Sequence, residues 1–234
     1  MSAARAKAPS RTAKSRHRFR ASRSAGEVSA LVTRPEDARW MLVLAHGAGA
    51  GMEHAFMEAL SAGLAADGVA SFRYQFPYTE RGSKRPDPPA ILEATVRSAV
   101  EAAADLAGRL PLLAGGKSMG GRMTSQAAAK EPLAGIRGIA FFGFPLHAIG
   151  KPGAERADHL NDVELPMLFL QGSRDRLAEL DLLEPVIRRL GDRATLHVVE
   201  GADHSFHVPA RSGRTDADVL DELSRRTADW AAER

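Results

Sequence analysis

Short, predominantly apolar runs recur along the 234-residue chain. Runs of this kind are typical of strands that are covered on both faces in a parallel sheet. They lie at residues 28–33, 40–45, 69–74, 110–114, 136–142, 166–171 and 194–199. Stretches with helical spacing or helix-forming composition separate most of them, at residues 56–64, 91–106, 123–129 and 182–190, and a last one begins at Thr215. The pattern predicts an α/β fold, with a doubly wound, mostly parallel sheet and helices on both faces.

Two polar segments interrupt this alternation. Residues 75–89 are crowded with Pro, Gly, Arg and Lys and predict a loop. Residues 146–163 form a polar excursion that is too short for a large cap domain. We therefore expect a minimal cap and a shallow, open pocket.

The first 24 residues are rich in Ser, Ala and Arg and have no hydrophobic period. We expect residues 1–24 to be a basic tail without regular structure, apart from a candidate edge strand at residues 17–20, and residues 25–234 to be one domain. Residues 1–23 hold 8 cations and no acid, which leaves 24 cations against 29 acids in the remainder. A basic tail can bind nucleic acid or an anionic surface. A solvated terminus is the simpler interpretation, so we do not expect a nucleic-acid partner.

The composition excludes several kinds of site. The chain has no cysteine, which rules out disulfides, thiolate metal sites and a cysteine nucleophile. No apolar run approaches the roughly 20 residues of a membrane-spanning helix. The N-terminus also lacks the apolar segment of a secretory signal. We therefore expect a cytoplasmic protein without a membrane partner; the oligomeric state stays open.

The segment from Gly116 to Gly120 contains the pattern G-x-S-x-G, with Ser118 at its centre. A predicted strand precedes it and a predicted helix follows, which is the context of a nucleophile elbow. In such a turn the serine hydroxyl points outwards, and the flanking glycines let neighbouring backbone pass close by. The helix N-terminus favours negative charge on the serine oxygen. A small-residue turn needed only for packing is the alternative, so the elbow requires support from elsewhere in the chain.

Two phosphate-binding patterns fail on inspection. A P-loop ending at Ser118 would need a glycine where Pro111 stands. The glycine-rich loop at residues 46–51 is not a dinucleotide fingerprint, because Met52 and His54 occupy the positions of the third glycine. We therefore expect no cofactor, and we expect no metal.

Two more residues of catalytic type follow predicted strands. Asp175 comes just after the strand at residues 166–171, and His204 just after the strand at residues 194–199. The carboxyl ends of parallel strands share one edge of the sheet, where ligands gather. A serine hydroxyl needs a histidine to accept its proton, and that histidine needs a carboxylate to orient it. We therefore predict a triad of Ser118, His204 and Asp175.

The base and the acid of the predicted triad each have a rival in the sequence. His207 is the main rival base, but His204 comes directly after the turn at residues 200–203. Asp181 is the rival acid, but it falls inside a predicted helix. Asp203 is expected to support the turn instead.

Acyl transfer also requires N–H donors for the oxyanion, each contributing about 2.7–4 kcal/mol to transition-state stabilisation. One should be the N–H of Met119, the residue after the nucleophile. The second should come from the loop after the strand at residues 40–45, where we predict the N–H of Ala48.

With these segments in view, the chain resembles the α/β-hydrolase superfamily, in particular its dienelactone-hydrolase-like branch. It is most similar to the small predicted hydrolases related to the testis-expressed and non-specific-lethal-complex proteins of animals. The matching segments are residues 44–51, 72–77, 115–122, 169–175 and 201–206. The resemblance implies an α/β-hydrolase fold and a serine hydrolase without metal or cofactor. Dienelactone hydrolases proper use a cysteine nucleophile, so the resemblance does not supply a substrate.

The leading hypothesis is hydrolysis of an ester or related acyl bond in a small molecule, through a Ser118 acyl-enzyme. The alternative is a catalytically silent scaffold of the same fold that binds a protein partner. A complete set of Ser, His, Asp and oxyanion donors favours the enzyme, because a scaffold needs none of them.

Overall fold

The computed structural model describes residues 11–234, and the strands in this range form one sheet of eight. They are β1 (Thr12–Ser22), β2 (Gly26–Pro35), β3 (Trp40–Ala45), β4 (Val69–Tyr74), β5 (Leu112–Lys117), β6 (Ile136–Phe142), β7 (Met167–Gly172) and β8 (Ala194–Val199). Their spatial order is β1-β2-β4-β3-β5-β6-β7-β8. The strands from β3 to β8 run parallel, while β2 pairs antiparallel with both β1 and β4.

Helices cover both faces of this sheet. They are α1 (Ala55–Ala66), α2 (Pro77–Glu80), α3 (Pro89–Ala107), α4 (Met119–Lys130), α5 (Leu180–Leu190) and α6 (Asp216–Ala232). Successive residues of a strand point to opposite faces, so Met41 and Val43 belong to the core cluster that includes α3, α4 and α5, while Leu42 and Leu44 belong to the cluster that includes α1 and α6. The predicted α/β-hydrolase architecture, a mostly parallel sheet between two helical layers, is confirmed.

The N-terminal prediction needs correction. Residues 12–22 form the edge strand β1, which includes the candidate edge strand at residues 17–20 but extends into segments where we expected no regular structure; residues 1–10 lie outside the described residues. The strand pairs with β2 in a register that places Phe19 opposite Val28. The ring centroid of Phe19 lies 5.8 Å from that of Phe72 in the core. Backbone pairing at an open edge needs little apolar surface, so cations at alternate positions can remain in solvent.

The polar excursion folds against α4. It contains a 3₁₀ helix, Glu155–Asp162, which buries Ala157 and Leu160. His159 Nε2 and Ser125 Oγ are hydrogen-bonded at 2.8 Å, which fastens this helix to α4. Burial, reinforced by the nearby Arg122, lowers the pKa of His159 to about 4, so this imidazole is neutral near pH 7. Within residues 11–234, no helix has the length and apolar character needed to cross a membrane.

Candidate active site

Ser118 occupies a strained turn between β5 and α4. Its backbone has φ 51° and ψ −118°, a region that side-chain-bearing residues rarely adopt. Glycine is required on both sides: a Cβ added at Gly116 would lie 2.6 Å from the carbonyl oxygen of Ala45, and one at Gly120 would lie 2.5 Å from that of His46. The backbone at the end of β3 therefore packs so closely against this turn that only glycine fits on either side of Ser118.

The structure brings the three predicted triad side chains together. His204 Nε2 lies 2.8 Å from Ser118 Oγ, and His204 Nδ1 lies 2.7 Å from Asp175 Oδ2. The Asp175 side chain is fully buried, whereas that of His204 is 24% exposed. Because a carboxylate only accepts, Nδ1 carries the proton shared with Asp175, which leaves Nε2 free to accept from the serine hydroxyl. The arrangement can move a proton from Ser118 to His204.

Asp175 has two further donors, one of them from a residue that the sequence analysis missed. Gln171 Nε2 donates to Asp175 Oδ2 at 2.5 Å, and the N–H of Leu177 donates to Oδ1 at 2.8 Å. The amide oxygen of Gln171 accepts from the N–H of Phe144 at 2.9 Å. Gln171 is fully buried, so both ends of its amide must be satisfied inside the protein. The sequence did contain a sign of this role, since Gln171 is an amide side chain inside an otherwise apolar strand, four residues before Asp175.

The loop that carries His204 is held by Asp203, as predicted. Asp203 Oδ1 accepts from the N–H groups of Ser205 at 2.8 Å and His207 at 3.1 Å. The rival base His207 points away from the site and pairs with Asp216 at 2.9 Å. The rival acid, Asp181, is exposed in the first turn of α5. The structure thus leaves both rivals outside the hydrogen-bonded chain.

A cleft of about 420 Å³ opens over Ser118 and His204. Its walls are mainly small or apolar and include Ala48, Phe56 and Leu177. All residues of the polar excursion, 146–163, are described and none of them lines this cleft. In the described part of the chain, no three His, Cys, Asp or Glu side chains form a metal-binding group.

The two predicted oxyanion donors adjoin Ser118. Met119 is the first residue of α4, where a backbone N–H has no acceptor within the helix. Ala48 lines the cleft. Its loop lies against the nucleophile elbow, as shown by the preceding Gly47, where an added Cβ would lie 3.6 Å from Ser118 Cβ.

His46 holds this loop, a role that the sequence analysis did not assign. The imidazole is completely buried; its Nδ1 pairs with the carbonyl of Gly47 at 2.8 Å, and its Nε2 accepts from the N–H of Phe76 at 3.1 Å. Burial lowers the pKa of His46 to about 4, against the smaller raising effect of the Gly47 carbonyl. A neutral imidazole therefore links the loop after β3 to the segment after β4.

Comparison with known proteins agrees with this fold. A dienelactone hydrolase from Anabaena variabilis superimposes with a TM-score of 0.74 at 17% sequence identity, over 94% of this chain and 98% of the other. An α/β serine hydrolase without a lid from Xanthomonas campestris gives 0.71 at 17% identity, over 93% and 94% of the two chains. The esterase domain of a Rhodothermus marinus protein gives 0.70 at 14% identity, over 94% and 98%.

At these identities the solved structures are similar in fold, and the sequence itself gives the assignment. Residues 38–232 match the family of alpha/beta hydrolase domains, and the match spans β3 to α6 with every residue of the site described above. The chain belongs to the α/β-hydrolase domain family.

Proposed function

We propose that this protein is a serine hydrolase that cleaves an ester or a related acyl bond. The observation that carries the proposal is the continuous hydrogen-bonded chain from Ser118 Oγ through His204 to the buried carboxylate of Asp175. A packing turn at Ser118 would need neither partner. The strained backbone at Ser118 supports the same role, since such strain concentrates at functional sites.

In the proposed reaction, His204 Nε2 takes the hydroxyl proton while Ser118 Oγ attacks the acyl carbon. The tetrahedral intermediate collapses, the acyl–oxygen bond breaks, and His204 returns the proton to the leaving alcohol. Water then attacks the acyl-enzyme with His204 again as the base, which releases the acid and restores the Ser118 hydroxyl. Asp175 stabilises the imidazolium in both halves without itself being protonated.

We assign the oxyanion to the N–H groups of Met119 and Ala48. Both positions adjoin Ser118, and the N-terminus of α4 adds the positive end of its dipole. His46 would keep Ala48 in place. A donor already oriented by the fold is worth about 2.7–4 kcal/mol in transition-state stabilisation.

The cleft supports a small acyl substrate. Its walls are mainly apolar, and the excursion at residues 146–163 does not close it. Two of the structural neighbours are described as an esterase domain and a dienelactone hydrolase, which is consistent with this proposal. Kinship with the animal testis-expressed and non-specific-lethal-complex relatives, a cytoplasmic location and independence from cofactors stay predictions.

Turnover of short p-nitrophenyl esters by Ser118→Ala tests the proposal. We expect kcat to fall on the order of 10⁶-fold with the thermal unfolding curve retained. Ser83→Ala, in an exposed loop outside the cleft, is the matched control and should keep full activity. A fluorophosphonate probe should label the wild type and not Ser118→Ala. Full turnover by Ser118→Ala would refute the assignment, and a wild type that is neither labelled nor active would favour the scaffold.

A further inference from the structure

Lys117 is the last residue of β5 and stands immediately before Ser118. Its ammonium does not point to solvent: Nζ donates to the backbone carbonyl of His204 at 2.6 Å. These two residues are 87 positions apart in the chain. The segment that carries the candidate nucleophile thus also hydrogen-bonds to the backbone of the candidate base.

Two aromatic rings pack against this ammonium. The rings of Phe56 and Phe206 stack with centroids 5.8 Å apart, and Nζ lies 5.8 and 5.3 Å from those two centroids. A cation over aromatic faces is favourable, and more so where water is excluded. Gly143 also adjoins the ammonium: an added Cβ would lie 3.1 Å from Nζ and in ordinary contact with the His204 ring at 3.5 Å. A side chain at this position would therefore press on the ammonium.

The backbone of the histidine loop needs such a restraint. Phe206, two residues after His204, has φ 65°, which is strained for a residue other than glycine. Its ring contacts both the Phe56 ring and the ammonium, so the contacts of Lys117 fix the loop at His204 and again at Phe206. Loss of the ammonium would release both points together.

Burial lowers the pKa of Lys117 to about 8, while the nearby carboxylates of Asp175 and Asp203 act in the opposite direction. The imidazole of His204 is the other titratable group at this place. Lys117 is therefore largely protonated at pH 7 and loses its proton only about one unit higher. The neutral amine donates a weaker hydrogen bond and has no cation–π attraction.

We propose that Lys117 is a positioning residue, whose ammonium holds the backbone of His204 so that the imidazole stays between Ser118 and Asp175. This inference rests on the proposed hydrolase function. Lys117 is one of the residues that line the cleft, but its ammonium is bonded to the backbone carbonyl of His204, so it acts through the histidine. Removing it should therefore lower kcat more than it changes KM.

The first test is Lys117→Met, which keeps the length of the side chain and removes its charge. We expect kcat to fall on the order of 10²-fold, the loss typical of a small misplacement of a catalytic group. Lys84→Met, on an exposed loop, is the matched control for the loss of one lysine and should leave kcat unchanged. A Lys117→Met enzyme with kcat within twofold of wild type would overturn the proposal.

The second test restores the amine chemically. The chain contains no cysteine, so Lys117→Cys carries its only thiol, and alkylation with 2-bromoethylamine gives a lysine analogue at this position alone. The alkylated enzyme should regain activity. Sulfur makes the new amine more acidic than lysine, so kcat/KM should begin its alkaline decline at a lower pH than in the wild type. Recovery with an unchanged pH profile would overturn the proposed role of the charge.

These outcomes are separable from failure of the hydrolase proposal. If the wild type hydrolyses esters and Ser118→Ala does not, the Lys117 variants decide the inference alone. If the wild type is inactive, the readout is the downfield NMR proton on His204 Nδ1, identified by its absence in His204→Gln. Broadening or loss of this proton in Lys117→Met would support positioning, and an unchanged resonance would overturn it.

Discussion

Replacing Gln171 with methionine removes the buried amide that connects Asp175 to the neighbouring loop. Methionine has nearly the same length and is apolar, so the main change is the loss of two hydrogen bonds. The Nε2 donor leaves Asp175 Oδ2, at 2.5 Å, and the amide oxygen leaves the N–H of Phe144, at 2.9 Å. Gln171, Phe144 and Asp175 are all at most 2% exposed, so water does not replace either bond in the folded state.

The size of the effect follows from these two contacts. A buried N–H without an acceptor costs about 1–3 kcal/mol, and a hydrogen bond to a charged group contributes about 1.5–3 kcal/mol. Asp175 retains the donors from Leu177 and His204, which reduces the second figure. We expect the free energy of unfolding to fall by about 2–5 kcal/mol, a large part of the 5–15 kcal/mol typical of a domain.

Urea unfolding at pH 7 measures this loss, with Gln126→Met on the half-buried face of α4 as the control. A second variant, Gln171→Glu, keeps the acceptor for Phe144 but places a carboxyl beside Asp175. Like charges at this distance disfavour ionisation of both groups. The stability of Gln171→Glu should therefore recover toward that of wild type as the pH falls and one carboxyl is protonated, whereas that of Gln171→Met should not. A Gln171→Met protein within about 0.5 kcal/mol of wild type would refute the reasoning.

Two further outcomes follow from the site. His46 and His159 have pKa values lowered to about 4, so the unfolded chain binds more protons than the folded one between pH 6.5 and 4. The free energy of unfolding should therefore decline as pH falls through this window, by about 3 kcal/mol for His46 alone. His159→Gln should make this pH dependence weaker, as measured by urea titrations at a series of pH values. Gly120→Ala places a Cβ 2.5 Å from the carbonyl oxygen of His46, so it should lower the yield of folded protein or cost more than about 2 kcal/mol in urea unfolding. In the control Gly47→Ala, the added Cβ has no atom nearer than 3.5 Å, and this variant should fold normally. Equal behaviour of the two variants would contradict the steric account.

Hydrophobic patterning predicted the parallel part of the sheet because those strands are covered on both faces. Every residue of β3 and β4 is buried, and the predicted ranges 40–45 and 69–74 match the observed strands. The limits of β5 were less accurate. The prediction ended at Ala114, but pairing with β3 continues to Gly116 and pairing with β6 continues to Lys117. Glycine has no apolar side chain to mark a strand; it is there because the backbone of neighbouring strands comes too close for a Cβ.

β1 was predicted only in part, as a candidate edge strand at residues 17–20. One face of this strand carries Lys14, Arg16, Arg18 and Arg20, all exposed, and only Phe19 contributes a large apolar group to the other. The energy that holds an edge strand comes largely from backbone pairing and from partners distant in sequence. Arg16, for example, pairs with Glu53 at 2.5 Å. Neither contribution produces a hydrophobic period, so charge density was a misleading signal for disorder.

The catalytic candidates were predictable because the carboxyl ends of parallel strands lie at one edge of the sheet, regardless of the conformation of the loops that follow. The residues that support them were not, and Lys117 shows why. β5 and β8 have two strands between them, and neighbouring strands are about 4.8 Å apart. Contact between Lys117 and His204 therefore requires a long side chain, a loop that returns across the edge, and space over Gly143 at the end of β6. Three segments that are distant in sequence must meet these conditions together, and their relative positions are known only from the folded structure.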